Sequence, residues 1–349
     1  MLAYLLTLSF VIMMSWLIQS NKGKSITKWL LAILIVGMSL FIGFRYWVGT
    51  DYGSYYRGYY LYSRLSWKEL IGIDDPALRI IAKLSTYIVD SPITMFTIAA
   101  FIFCTLFTLS IYEYSDNFLF AMILFICCGT FLEAFNGVRQ ATAVSIIFFG
   151  LRYIKKKKFF KYLLTVLIAT LFHSTAILML VLYVVFNMKT SVINVVILVI
   201  VSILLTYSYE WIYSLVENIT DKDVNLDYEY YVTQVNVFRV AVACAPCVFL
   251  VLLSRKARLE NSMLCNMIII NAALMCITSS SAFLARIAMY STAFIPIAIT
   301  NLKNKIKFDK GTKFSVEVII LILYFVFFII SILNTANLYP YRAFFQYGV

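Results

Sequence analysis

Charge is scarce in this sequence. Asp, Glu, Lys and Arg make up 13% of the 349 residues, while 62% are hydrophobic; an ordinary soluble domain carries about 25% charged residues. A water-soluble enzyme is excluded, because the polar surface it needs is missing, and so is a disordered chain. Histidine occurs once, at His173, so no histidine-rich metal site can be built. The seven cysteines all lie in apolar runs. Cys244 and Cys247 have CxxC spacing, but without a second pair they read as buried thiols. There is no P-loop and no Ser nucleophile elbow. The apolar runs are continuous, not alternating, which excludes a β-barrel. No internal repeat, low-complexity linker or separate soluble domain is visible. What is present is an all-α polytopic membrane protein, with room for about 12 transmembrane helices of ~20 residues each.

Candidate spans fall at about 2–19, 28–44, 92–112, 118–133, 137–154, 159–172, 174–188, 190–206, 237–253, 263–279, 283–300 and 314–332. The first reads as a retained span, not a cleaved signal peptide. No positive stretch precedes it, and Lys22, Lys24 and Lys28 follow it. The positive-inside rule then puts residue 1 outside and the 20–28 loop in the cytoplasm. The basic stretches Lys155–Lys158, Arg255–Arg258 and Lys303–Lys313 are all cytoplasmic only if 159–188 crosses twice. That stretch is therefore expected to be a short helical hairpin with His173 near its outer tip. Arms of about 14 residues reach only ~21 Å, so the tip can sit within the outer leaflet. The chain reads as a single integral membrane domain, 1–349, with two longer outer loops at about 45–91 and 207–236.

With the sides assigned, most lysines fall in the cytoplasm. Most arginines fall outside: Arg45, Arg57, Arg64, Arg79, Arg139, Arg239, Arg286 and Arg342. The net charge of +12 then reflects sidedness and lipid headgroups, and no nucleic-acid partner is expected. Lysine suffices to set topology, whereas arginine offers a planar fork of donors that suits phosphate. Arg139, Arg239 and Arg286 lie just inside a span, where a charge costs about 2.5–3.5 kcal/mol at the midplane and less near the interface. Each could snorkel to headgroups, or the set could bind an anion. The outer loops hold most carboxylates and many tyrosines, among them Tyr52, Tyr55, Tyr56, Tyr228 and Tyr230. These suit the interfacial belt or stacking on sugar rings. Residues 76–90 read as an amphipathic helix on the membrane surface, carrying Arg79 and capped by Asp74 or Asp75 ahead of Pro76.

Four outer constellations could carry chemistry. Arg45-Tyr46-Trp47-Val48-Gly49-Thr50-Asp51-Tyr52 leaves the second span with a glycine for tight backbone geometry; its Arg and Asp could serve a ligand or pair with each other. Asn136-Gly137-Val138-Arg139-Gln140 opens the fifth span just after Glu133. Asn136 is a good N-cap, and Arg139 and Gln140 beside a helix N-terminus make an anion site. Phe172-His173-Ser174 holds the lone histidine, as a catalytic or a hydrogen-bonded structural residue. Arg286 follows Ser279–Ser281. A transporter would place charges and broken helices near the midplane. Here they gather at the outer face, beside lipid headgroups, which suits an enzyme acting on a lipid-linked anionic substrate.

The run Phe44–Tyr56, FRYWVGTDYGSYY, resembles the signature of the EpsG branch of the Wzy-type O-antigen and capsular polysaccharide polymerases. Asn136–Ala143, NGVRQATA, is similar to that family's second motif, and Lys155–Leu178 to its third, with its Phe-His-Ser step. Arg286 in a late span and Tyr339–Tyr341 also fit, whereas 190–280 matches only in hydropathy. The resemblance implies a GT-C-like glycosyltransferase of the bacterial inner membrane with an outward-facing active site. It would transfer a growing glycan from undecaprenyl pyrophosphate to the non-reducing end of an incoming lipid-linked repeat unit. No cofactor is implied; the partners are that undecaprenyl-pyrophosphate-linked oligosaccharide, membrane lipid and, as a candidate, a chain-length regulator. A leaving pyrophosphate needs positive donors and an acceptor hydroxyl needs a base. The expected assignments are Arg139, Arg286 and Arg45 on pyrophosphate, Asn136, Gln140 and Tyr52 on pyrophosphate or glycan, and His173, Asp51 or Glu133 as base. The alternatives are a ligase-type glycan transferase, a flippase or exporter lined with mid-span charges, and a membrane acyltransferase that would need His173 within reach of a cytoplasmic acyl donor.

Overall fold

The computed structural model describes residues 1–189, 236–253, 262–280, 282–306 and 309–346. The expected span at 190–206, nearly all of the second long loop and the basic loop Arg255–Arg258 lie outside the described residues. The described residues are helical, apart from turns and one isolated bridge between Arg45 and Ala343. The chain divides into two compact units, Met1–Tyr183 with Lys310–Val349, and Val184–Asp309.

The first unit opens with α1 (Leu2–Ser20) and α2 (Ile26–Gly43). In α1, Tyr4, Leu8, Val11, Met14 and Ile18 recur every three or four residues and are buried, while Leu2, Leu6, Met13 and Trp16 point outward. A helix apolar on both faces belongs in lipid. The first long loop is not irregular but holds α3 (Tyr52–Tyr62), α4 (Trp67–Ile71) and α5 (Pro76–Ser85). The amphipathic helix expected over 76–90 is present as α5, with Asp75 at its N-cap, but it stops at Ser85; its apolar face buries Leu78, Ile81, Ala82 and Ser85, packing on α3 and on α6 (Pro92–Tyr114). Helix α6 also packs on α2, on α7 (Phe118–Cys127) and on α9 (Val138–Phe149). Gly43 permits the close approach of α2 to α6, since a Cβ there would stand 2.7 Å from Thr97 Cα. Lipid tails are as apolar as leucine, so shape and ring contacts hold this interior more than water exclusion does. Phe107 lies 4.7 Å from both Phe125 and Phe148 by ring centroids, and such pairs contribute about 0.5–1.5 kcal/mol each.

After the short helices α8 (Thr130–Glu133) and α10 (Leu151–Lys155), the chain makes the expected fold-back. Helix α11 (Phe159–Thr170) turns at 171–173 into a 3-10 helix (Ser174–Met179) and α12 (Leu180–Asn187). The Tyr162 hydroxyl donates to Met179 O at 2.7 Å, and its ring stacks on Tyr183 at 5.8 Å. His173 sits at the tip. The segment after the long helix Lys310–Asn334 returns to the start of the chain. Tyr4 Oη donates to Leu338 O (2.7 Å), Gly49 N to Asn337 O (2.8 Å), Tyr46 N to Arg342 O and Phe344 N to Phe44 O (both 2.9 Å).

In the second unit α13 (Val237–Leu253) packs on α14 (Ser262–Ile277), which packs on α15 (Ala282–Thr292) and α16 (Ile295–Lys305). Side-chain amides act as polar glue. Asn271 accepts from Ser291 Oγ at 3.2 Å and Thr292 Oγ1 at 2.8 Å, and donates to Ala243 O at 3.3 Å.

Four described helices are long and apolar enough to cross a membrane: Leu2–Ser20, Ile26–Gly43, Pro92–Tyr114 and Lys310–Asn334. The expected spans at 118–133, 137–154 and 283–300 are interrupted, at Gly129, Gly150 and Phe294. The 12 residues of α11 rise only about 18 Å, short of the ~30 Å hydrocarbon core. The architecture is that of a polytopic membrane protein assembled from full-length and half-length helices.

Candidate active site

Where α2 ends at Gly43, the chain turns inward. Arg45 is fully buried: its Nη1 donates to Ile42 O at 2.7 Å and its Nε to Val48 O at 3.1 Å. The guanidinium lies 4.5 Å from the Phe96 ring and 5.6–5.7 Å from those of Phe135 and Tyr52. Burial lowers its pKa to about 10, so it stays charged at neutral pH, compensated by carbonyl dipoles and ring faces. Two of its three nitrogens are thus held by carbonyls near its own loop, while Nη2 is buried without a hydrogen-bond partner among the described residues. Tyr52, expected on a glycan, is also buried, with its ring stacked on Phe96 at 4.9 Å.

The loop then presses onto the turn before α9. Gly49 has φ +102, and a Cβ there would fall 1.9 Å from Phe135 O, so no other residue fits. Asn136 Oδ1 accepts the Thr50 N–H at 2.9 Å and the Thr50 hydroxyl at 3.3 Å. Asn136 therefore does not cap α9, as the sequence had led us to expect; Gly137 occupies the N-cap and Asn136 bridges two loops. Asp51 stands at the N-cap of α3, half-buried, 3.3 Å from Thr50 Oγ1. Glu133 ends α8, and its carbonyl accepts the N–H groups of Asn136 and Gly137 at 3.1 and 3.2 Å. Gln140 is buried in α9.

Arg139 projects from the first turn of α9 toward two partners. It hydrogen-bonds the Tyr55 hydroxyl, whose pKa is pushed up by burial and pulled back by this arginine. Its Nη1 also lies 3.2 Å from Asp75 Oδ2. The same Oδ2 is 3.3 Å from His173 Nδ1, and Oδ1 accepts the Ser174 N–H at 2.8 Å. Asp75 has φ +52 and makes no side-chain bond to its own helix. Its carboxylate is 9% exposed, against 34% for Arg139 and 20% for His173. The Ala77 N–H donates to Leu171 O at 2.9 Å, tying the start of α5 to the hairpin.

Sites far apart in sequence thus meet in the first unit: Thr50–Asp51, Tyr55, Asp75, Asn136–Arg139 and His173. Arg286 lies on α15 of the second unit, half-buried. Among the described residues no group of three or more His, Cys, Asp and Glu is placed to hold a metal. Sequence reasoning gave Asp75 only a capping role and missed its place here. The available signal was the acidic pair ahead of Pro76: the residue before proline avoids the α region, and Asp is one of the few non-glycine residues that adopt positive φ.

The family model of EpsG matches residues 28–347. The chain belongs to the EpsG family. A search of curated proteins and a search of solved structures each return no match. EpsG proteins are Wzy-like polymerases, which gives this chain a polysaccharide-polymerase type of role in the membrane. The matched stretch covers every residue of the cluster. For such an EpsG chain the cluster offers a cation on the first turn of a helix and an imidazole, at 3.2 and 3.3 Å from one shared carboxylate, Asp75.

Proposed function

We propose that this EpsG chain joins undecaprenyl-pyrophosphate-linked repeat units at the outer face of the bacterial inner membrane. It acts as one integral membrane domain of GT-C type with about twelve crossings, several made by paired half-length helices. The observation that carries the reading is the convergence of the three sequence motifs on one cluster, through Thr50–Asn136, Tyr55–Arg139 and Arg139–Asp75–His173. In the reaction the bond between the glycan's anomeric carbon and the pyrophosphate oxygen breaks. A new bond forms from that carbon to the acceptor hydroxyl, whose proton passes to His173 or, failing that, Asp51 or Glu133. Undecaprenyl pyrophosphate leaves. Arg139, with the amides opening α9, meets the negative charge that develops on it; Arg286 is retained as a further anion contact on the sequence motif alone. Arg45 and Tyr52 hold the loop from beneath, while Asn136 and Gln140 fix its partner.

Deleting the gene tests this. The expected result is lipid-linked or surface-displayed single repeat units with no long polymer. Full-length polysaccharide from the same locus would refute the reading. Long polymer retained on its lipid carrier would point instead to the ligase-type transferase.

A further inference from the structure

We infer that Asp75 is a positioning residue that fixes the tautomer and orientation of His173. The inference rests on the polymerase reading for its effect on rate, but not for its effect on the imidazole. Asp75 Oδ2 lies 3.3 Å from His173 Nδ1. An ionised carboxylate accepts and cannot donate, so this contact requires the proton on Nδ1, and in the neutral ring the basic nitrogen is then Nε2. A base so arranged can take the acceptor hydroxyl's proton at Nε2 and hold the resulting imidazolium against the carboxylate.

A purely mechanical latch accounts for less of the geometry. The Ser174 N–H to Oδ1 bond (2.8 Å) and the Ala77 N–H to Leu171 O bond (2.9 Å) already pin α5 to the hairpin tip. Oδ2 is turned away from both, toward His173 and Arg139. Asp75 holds a left-handed φ of +52 and leaves its own helix without a side-chain cap in order to face them. Strained backbone at a non-glycine residue concentrates at functional sites. The nearly buried carboxylate also keeps the Arg139 fork aimed at the same spot by a single-armed contact at 3.2 Å.

The experiment uses the full chain in lipid nanodiscs, carrying a tag without histidine. Because the sequence has one histidine, 15N-histidine labelling gives signals from His173 alone. The wild type is expected as the Nδ1–H tautomer. Asp75→Asn keeps an acceptor for the Ser174 amide but presents an amide N–H to Nδ1, so the Nε2–H tautomer should take over. In parallel, lipid-linked repeat units extracted from the deletion strain serve as substrate in liposomes. Asp75→Asn should lower kcat by on the order of 100-fold with KM little changed, less than the ~10⁴-fold of a fully buried triad. In a His173→Ala background it should cost clearly less than in the wild type, the remainder being what it costs through Arg139, since residues acting as a unit are not additive. An unchanged tautomer in Asp75→Asn, or an equal further loss in His173→Ala, overturns the inference. A wild type that shows the Nδ1–H form but makes no polymer overturns the polymerase reading and leaves the positioning role standing.

Discussion

Two arginines that look alike in the sequence do opposite jobs in the structure. Arg45 is sealed beneath its loop, whereas Arg139 is about one-third exposed and shares Asp75 with the histidine. Lysine keeps the charge but loses the fork. Arg139→Lys and Arg286→Lys should therefore cut polymer formation about 100- to 1000-fold, as removal of a transition-state donor does, with normal protein levels. Arg45→Lys should act on folding instead. A compact ammonium cannot span Ile42 O and Val48 O, and leaving buried carbonyls unmet costs roughly 1–3 kcal/mol, visible as a lower Tm in detergent. Arg57→Lys, on the exposed face of α3, should be silent in both assays. Arg79 would be a poor control, since its Nη1 is buried and its guanidinium lies 4.9 Å over the Tyr62 ring. None of this division was readable from residue type. Burial of a charge beside a span depends on where the next loop lands, and that is a long-range fact.

At the level of elements, the loop between α2 and α3 depends on a single backbone conformation. Gly49→Ala would put a methyl group into Phe135 O at a left-handed φ. The loop must then lift off the Asn136 turn. The expected outcome is loss of polymerisation together with a stability loss of at least about 2 kcal/mol, checked by activity and by protease cleavage within 44–52. The helical hairpin at 159–188 was legible from the sequence, because charge parity demanded two crossings. The helices near 2–19, 28–44, 92–112 and 314–332 were legible because each apolar run was long enough by itself. The interruptions at Gly129, Gly150 and Phe294 were not, since the hydrophobic runs continue through them and hydropathy does not register a bend. The capping expectation for Asn136 failed for a related reason. Its carbonyl oxygen found the Thr50 amide 86 residues away, a partner that no local rule can see.

For the molecule as a whole, the distribution of lysines fixes which loops face outward. In a cysteine-free background, single cysteines at positions 51 and 173 should react with an impermeant maleimide added outside, and one at 157 only after permeabilisation. Outside labelling at 157 would invert the topology and move the cluster to the cytoplasm. The whole-molecule feature with the widest reach is the return of the far end of the chain to its beginning. Tyr4 meets Leu338, and the amides of Tyr46 and Gly49 are satisfied by Arg342 and Asn337. Between Gly49 and Asn337 the ribosome must add 337 − 49 = 288 residues, which takes on the order of 15–60 s at about 5–20 residues per second. Throughout that interval the inserted half carries open amides beside the loop of a charged arginine, at the membrane surface. The nascent chain must therefore be sheltered by the insertion machinery or risk degradation. Premature stops anywhere before residue 337 should be equivalent in effect, however much of the bundle has already been made.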